Sequence, residues 1–122
     1  MMQHGQRGIV RGHVVTAVGV LRARLAEPWT LDSLAEEVHL SRSQLARSFD
    51  AVTGMSPMAY LRRMRVERLA VLLVSTDLSI GAAAGAVGWD NSSYVSRCFR
   101  ARYGCSPGEY RRQHASSGSE VR

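Results

Sequence analysis

The chain has 122 residues, 45% of them hydrophobic, with sixteen basic side chains against ten acidic ones and a formal charge of +6. This length allows one domain or two small lobes sharing an element, and no apolar run reaches the length of a membrane span. Every basic residue is arginine, and the excess favours a polyanionic partner.

Residues 1–12 are polar and rich in glycine, which predicts a flexible N-terminus. They carry no apolar core behind a basic start, so no leader is expected, and a cytoplasmic, nucleoid-associated setting is. Over 13–26 the apolar residues Val14, Val18, Leu21 and Leu25 recur at helical spacing, and Pro28 stops the pattern. Thr30 can cap a second helix with Leu31, Leu34, Ala35 and Val38 in an i, i+3, i+4, i+7 stripe. After a short turn, Ser41 and Gln44 form a capping box for a third helix. Its inward residues are Leu45, Phe49 and Val52, and positions 42, 43, 46, 47 and 50 point outward.

A long helix follows from Pro57, with Arg62, Arg63, Arg65 and Arg68 on its polar side. Leu69 and Val71 make it more apolar than a plain linker and suggest a covered face. Beyond it Ile80, Ala83, Ala84 and Val87 repeat the earlier stripe. The turn through Gly88, Trp89 and Asp90 is one residue longer than its counterpart, and Asp90 or Asn91 can cap the helix after it. There Val95, Cys98 and Phe99 point inward, and positions 92, 93, 96, 97 and 100 outward. A short helix starts at Pro107, and 115–122 reads as a disordered tail. Cys98 and Cys105 stand seven apart, which is not a zinc spacing, and the four histidines are scattered. Cys98 is expected to be a buried structural thiol. No metal, cofactor or catalytic residue is expected.

Residues 41–60 are written twice, fifty positions apart. Ser43, Arg47, Phe49, Ala51, Gly54, Ser56, Pro57 and Tyr60 recur as Ser93, Arg97, Phe99, Ala101, Gly104, Ser106, Pro107 and Tyr110. Each copy has one grammar. A polar cap starts a helix, glycine stops it in a left-handed turn, and Ser-Pro starts the next helix as N-cap and first residue. The expected fold is all-α: two helix-turn-helix subdomains, 13–56 and 77–114, joined by a linker helix over 57–76.

A short helix, a tight turn and a second helix with a polar outer face can place that second helix in a major groove. Arg47 and Arg97 can reach guanine or contact phosphate, and serine hydroxyls can bond either bases or phosphates. With L-x-x-L-A at 31–35, S-x-x-x-L-x-R-x-F at 41–49, V-G-W at 87–89 and both G-x-S-P segments, the chain resembles the DNA-binding domain of AraC/XylS-type bacterial transcription regulators. The resemblance implies a monomer that sets two recognition helices in successive major grooves of double-stranded DNA, usually to activate transcription. It also implies a separate sensor domain in many members, so the chain is either a stand-alone member or an excised domain. Carried over by position, the DNA-reading surface is Arg42, Ser43, Ala46 and Arg47 in the first unit and Ser92, Ser93, Ser96 and Arg97 in the second, with Arg100 beside them.

Departures from the pattern fall mainly in the second unit. Gly81 and Gly85 weaken its first helix, and Val95 stands where the family has phenylalanine. In the first unit Ala46 offers no hydrogen bond. The second unit is therefore expected to bind more weakly. A competing reading is a protein-interaction module for RNA polymerase or a sensor domain, using the region of Trp29 and the apolar linker helix. Salt-dependent binding to random duplex DNA separates the two readings. An enzyme finds no support in a metal-ligand set, a phosphate loop or an activated nucleophile.

Overall fold

The computed structural model describes the backbone of residues 2–121 and the side chains of residues 7–114. Among the described residues the secondary structure is entirely helical: α1 Met2–Ala23, α2 Leu31–Glu37, α3 Arg42–Thr53, α4 Pro57–Ser75, α5 Ile80–Ala86, α6 Ser92–Tyr103 and α7 Pro107–Val121. The chain divides into two compact units, residues 1–61 and 62–122, with the division falling inside the continuous α4.

Local chemistry sets the ends of these helices. Ser41 accepts from the Gln44 N–H while the Gln44 side chain accepts from the Ser41 N–H, and Thr30 and Ser33 make the same box on α2. Asn91, not Asp90, caps α6 by accepting from the Tyr94 N–H. Gly54 and Gly104 end α3 and α6 at φ of 74° and 78°, a left-handed conformation that costs glycine nothing. Ser56 and Ser106 then accept from the Ala59 and Glu109 N–H groups, with proline at the first helical position where no N–H is needed.

The core of the first unit is Val14, Ala17, Val18, Leu21, Leu34, Ala35, Leu45, Phe49 and Leu61, with α1 packed on α3. That of the second is Val66, Leu69, Ala70, Leu73, Ala83, Ala84, Val87, Trp89, Val95 and Phe99. The buried stripes of α1 (14, 17, 18, 21) and α4 (66, 69, 70, 73) share one i, i+3, i+4, i+7 spacing, so each helix-turn-helix is preceded by an equivalent supporting helix. The register between the units is 52 positions for these stripes and 49 from Thr30 to Ser79. It is 50 from Ser41 to Asn91, because Asp90 is inserted in the second turn.

Several expectations need correction. The first helix, α1, ends at Ala23 rather than near 26 and begins at Met2 rather than near 13. Once residues 14–21 pack, each added residue gains a hydrogen bond without a new nucleation cost, and no proline interrupts. Likewise α7 continues to Val121 through the segment expected as a disordered tail; only residues 1 and 122 lie outside the described backbone. Val52, expected inward, is 43% exposed. Ser48 takes the inner place instead, with its Oγ 3.1 Å from His13 Nδ1 on α1. Cys98 is half-buried rather than buried, Trp29 is half-buried, and Ile80 lies at the exposed edge of its stripe. In α4, Leu69 is fully buried while Val71 is exposed, so these two residues do not share one covered face.

Arg111 was not anticipated. From α7 it donates through Nε to the Leu73 carbonyl (2.9 Å) and through Nη2 to the Thr76 carbonyl (3.3 Å), closing the C-terminal end of α4. Phe99, Tyr103, Tyr110 and His114 form a continuous ring cluster, whereas among the described residues the first unit has the edge-on pair of Phe49 and Tyr60.

Three stability outcomes follow from this local chemistry. A Cβ added at Gly81 meets nothing within 4 Å, so Gly81→Ala should stabilise by roughly 1 kcal/mol through helix propensity. Ser106→Ala should cost about 0.5–2 kcal/mol as a lost cap. The Ser106 backbone N–H, then its hydroxyl, hold the Glu109 carboxyl below the usual carboxylate range. A carboxyl lowered on folding stabilises fully above that range and loses its contribution as pH falls through the lowered value. Urea unfolding of wild type and Glu109→Gln across acid pH should show that this part of the acid sensitivity is absent in the variant.

Candidate nucleic-acid interface

In each unit the second helix of the pair is held by one apolar face, so its opposite face is left to solvent. On α3, Leu45 and Phe49 are fully buried, and Arg42, Ser43 and Arg47 are exposed with Ala46 half-buried between them. On α6, Val95 and Phe99 are buried, and Ser92, Ser93, Ser96, Arg97 and Arg100 are all exposed. All nine expected DNA-facing positions thus lie on α3 and α6, eight of them exposed and Ala46 partly so. Helical spacing brings 42, 43, 46 and 47 together, and likewise 92, 93, 96, 97 and 100.

The turns before these helices are alike. The Leu40 N–H donates to the Ala35 carbonyl and the Trp89 N–H to the Ala84 carbonyl, each at 2.9 Å. His39 occupies a left-handed φ of 60° where the second unit has Gly88 at 97°. For a side-chain-bearing residue that conformation costs about 1–2 kcal/mol, so the first turn is the more strained.

The electrostatics differ between units. Arg42 pairs with Asp32 of α2, Nε to Oδ1 3.0 Å. Arg100 lies 3.9 Å from Glu109, and Glu67 bridges Arg63 and Arg102 at 3.1 and 3.3 Å. The Arg97 guanidinium sits 5.9 Å over the ring of Tyr94, which meets Trp89 edge-on at 5.9 Å between centroids. Burial, then a hydrogen bond with the Cys98 thiol, push the Tyr94 phenol above its ordinary value. Burial pulls the Arg65 guanidinium below its own.

Sequence reasoning missed Tyr94, Trp89 and Asp32 as neighbours of the surface. Tyr94 occupies the place of Gln44 in the repeat, and that difference is the signal that could have found it. A cleft of about 110 Å³ opens beside α6, lined by Ile80, Gly81, Ala84, Trp89, Val95 and Ser96 among others. The short Val95 and the bare Gly81 leave it unfilled. A larger open cleft of about 480 Å³ in the first unit includes Glu27, Trp29, Glu36 and Glu37. Its acids suit a polyanion poorly, and none of its lining residues belongs to α3. Among the described residues no group of three His, Cys, Asp or Glu side chains is arranged to hold a metal, and no helix is long and apolar enough to cross a membrane.

Because Arg47 and Arg97 reach outward, Arg47→Ala and Arg97→Ala should each leave folding stability within about 0.5 kcal/mol of wild type by denaturant unfolding. A larger loss would mean that the side chain supports the fold.

Comparison with known proteins converges on one group. A family model described as a helix-turn-helix domain matches residues 34–113. The HTH-type transcriptional regulator MtrA of Neisseria gonorrhoeae is 29% identical over 110 residues, covering 87% of this chain and 36% of that protein. The RCS-specific HTH-type transcriptional activator RclR of Escherichia coli is 36% identical over 83 residues, covering 68% of this chain and 29% of that protein. Among solved structures, a Chromobacterium violaceum regulator of the AraC-type DNA-binding group superposes with a TM-score of 0.80 at 31% identity, over 86% of this chain and 94% of that one. The DNA-binding domain of AdpA, solved with a target DNA, superposes with a TM-score of 0.80 at 28% identity, over 84% and 93%. The chain spans about a third of the length of the curated relatives it matches.

Proposed function

This chain belongs to the AraC-type family of helix-turn-helix DNA-binding domains, and we propose that it reads double-stranded DNA for a transcription regulator through two recognition helices, α3 and α6, in successive major grooves. The observation that carries the proposal is the repetition of one exposed, arginine-bearing helix face on two helices anchored through the same i, i+4 positions. The repeat runs head to tail, so a single copy reads a non-palindromic site. The nineteen residues of α4 amount to roughly 28 Å of helix, of the order of the ~34 Å turn of the duplex.

In this reading Arg47 and Arg97 reach guanine edges, Ala46 contacts a thymine methyl, and the serines and Arg100 take phosphates and nearby base edges. RclR is described as a transcriptional activator, and the proposal extends that direction of regulation to this chain. Contact with RNA polymerase or a sensor domain belongs to the same proposal, as does a cytoplasmic place at the nucleoid.

Binding to random duplex DNA should weaken steeply with salt, log affinity falling against log salt by about 0.9 for each phosphate neutralised. A flat response would contradict DNA reading and leave the interaction-module alternative. On a site selected from random duplexes, Arg47→Ala should cost roughly 1–3 kcal/mol and relax preference in one half only, and Arg97→Ala should act on the other half. With Gly81, Gly85 and the unfilled cleft on its side, the second unit should show the smaller effect. Loss of preference in the same half for both variants would overturn the two-groove arrangement.

A further inference from the structure

We infer that Asp32 is a positioning residue for base reading: its carboxylate orients Arg42 so that the two terminal guanidinium nitrogens face one guanine of the half-site taken by α3. The inference rests on the DNA-reading role proposed above. Asp32 sits in the first turn of α2 and Arg42 is the first residue of α3, so the pair ties together the two helices of one helix-turn-helix. Nε of Arg42 lies 3.0 Å from Oδ1 of Asp32.

Three considerations point to positioning rather than stability. The side chains are 67% and 73% exposed, and a surface pair of this kind adds little to folding stability. A carboxylate beside a surface that meets phosphates also opposes binding by repulsion, so its presence weakens non-specific affinity. What the pair does supply is orientation. The Asp32 carboxylate lies by Nε of the guanidinium, and the Nη1 and Nη2 pair is the planar fork that matches O6 and N7 of guanine. An arginine biased in this way gives up less rotamer freedom when DNA arrives. The second unit is an internal contrast: Gly81 stands in the place of Asp32 and Ser92 in the place of Arg42, so both members of the pair are missing together.

The test is selection from a random duplex library with wild type, Asp32→Ala, Arg42→Ala and the double variant, alongside salt-dependent binding to random duplex. Asp32→Ala should reduce selection of one guanine in the α3 half by about fivefold or more. Its affinity for random duplex should hold or rise, with a salt slope steeper by up to ~0.9, as the freed Arg42 takes a phosphate. Arg42→Ala should lose the same guanine preference, the double variant should lose no more than either single variant, and Asp32→Glu should restore part of the loss.

Three results would overturn the inference. Asp32→Ala could keep the guanine preference. It could lose a cytosine preference instead, meaning that the carboxylate reads a base itself. Or it could weaken all sequences equally with a lowered melting transition, meaning that the pair only supports the fold. If wild type itself shows no salt-dependent binding to random duplex, the DNA reading beneath the inference fails, a result distinct from the other three.

Discussion

Two pairs of inward side chains, Leu45 with Phe49 and Val95 with Phe99, determine what the rest of α3 and α6 can do. Each pair is spaced i, i+4, so it fixes one narrow face of a twelve-residue helix and leaves most of the surface to solvent. Truncating a buried phenylalanine costs about 3–5 kcal/mol, several times the value of any exposed ion pair here. The polar faces therefore carry little of the folding energy. They are free to be chosen for recognition, and the anchors hold them at a fixed rotation about the helix axis. The caps at Ser41 and Asn91 complete that constraint by fixing where each helix begins.

The two units reach this arrangement with different reserves. The first closes α3 against α1, including a polar contact from His13 to the buried Ser48. The second has α5 rich in glycine and alanine and a cleft beside Val95, both of which weaken it locally. It gains in return the ring cluster of Phe99, Tyr103, Tyr110 and His114 and the clamp of Arg111 on the end of α4. Strain is distributed in the opposite sense: the first turn has His39 in a left-handed conformation and the second has Gly88. A duplicated motif has thus kept its anchors and caps while its support has diverged.

Legibility in the sequence followed range. The caps at Thr30, Ser41, Ser56 and Ser106 and the stops at Gly54 and Gly104 depend on neighbours within a few residues, and the pattern exposed all of them. The outward faces of α3 and α6 were legible for the same reason, since helical spacing alone orients them. What depends on distant partners was not legible. Ser48 is inward because His13 waits for it thirty-five positions away, and Val52 is outward because the packed face of α3 turns toward 45, 48 and 49. Arg111, read as one arginine among many, caps a helix that ends thirty-six residues before it. The equivalence of α1 and α4 was hidden because its register differs from that of the copied segment, and Asp32 beside Arg42 became visible only when two helices met.

In the proposed arrangement one copy of the chain sets the like faces of α3 and α6 on one stretch of duplex. Hydroxyl-radical footprinting of the chain on its selected site, titrated to a defined stoichiometry, addresses it most directly. One copy per duplex and two protected patches about 10 bp apart on the same face, corresponding to adjacent major grooves, are expected. A single patch, or two patches that appear only when a second copy binds a palindromic site, would contradict it.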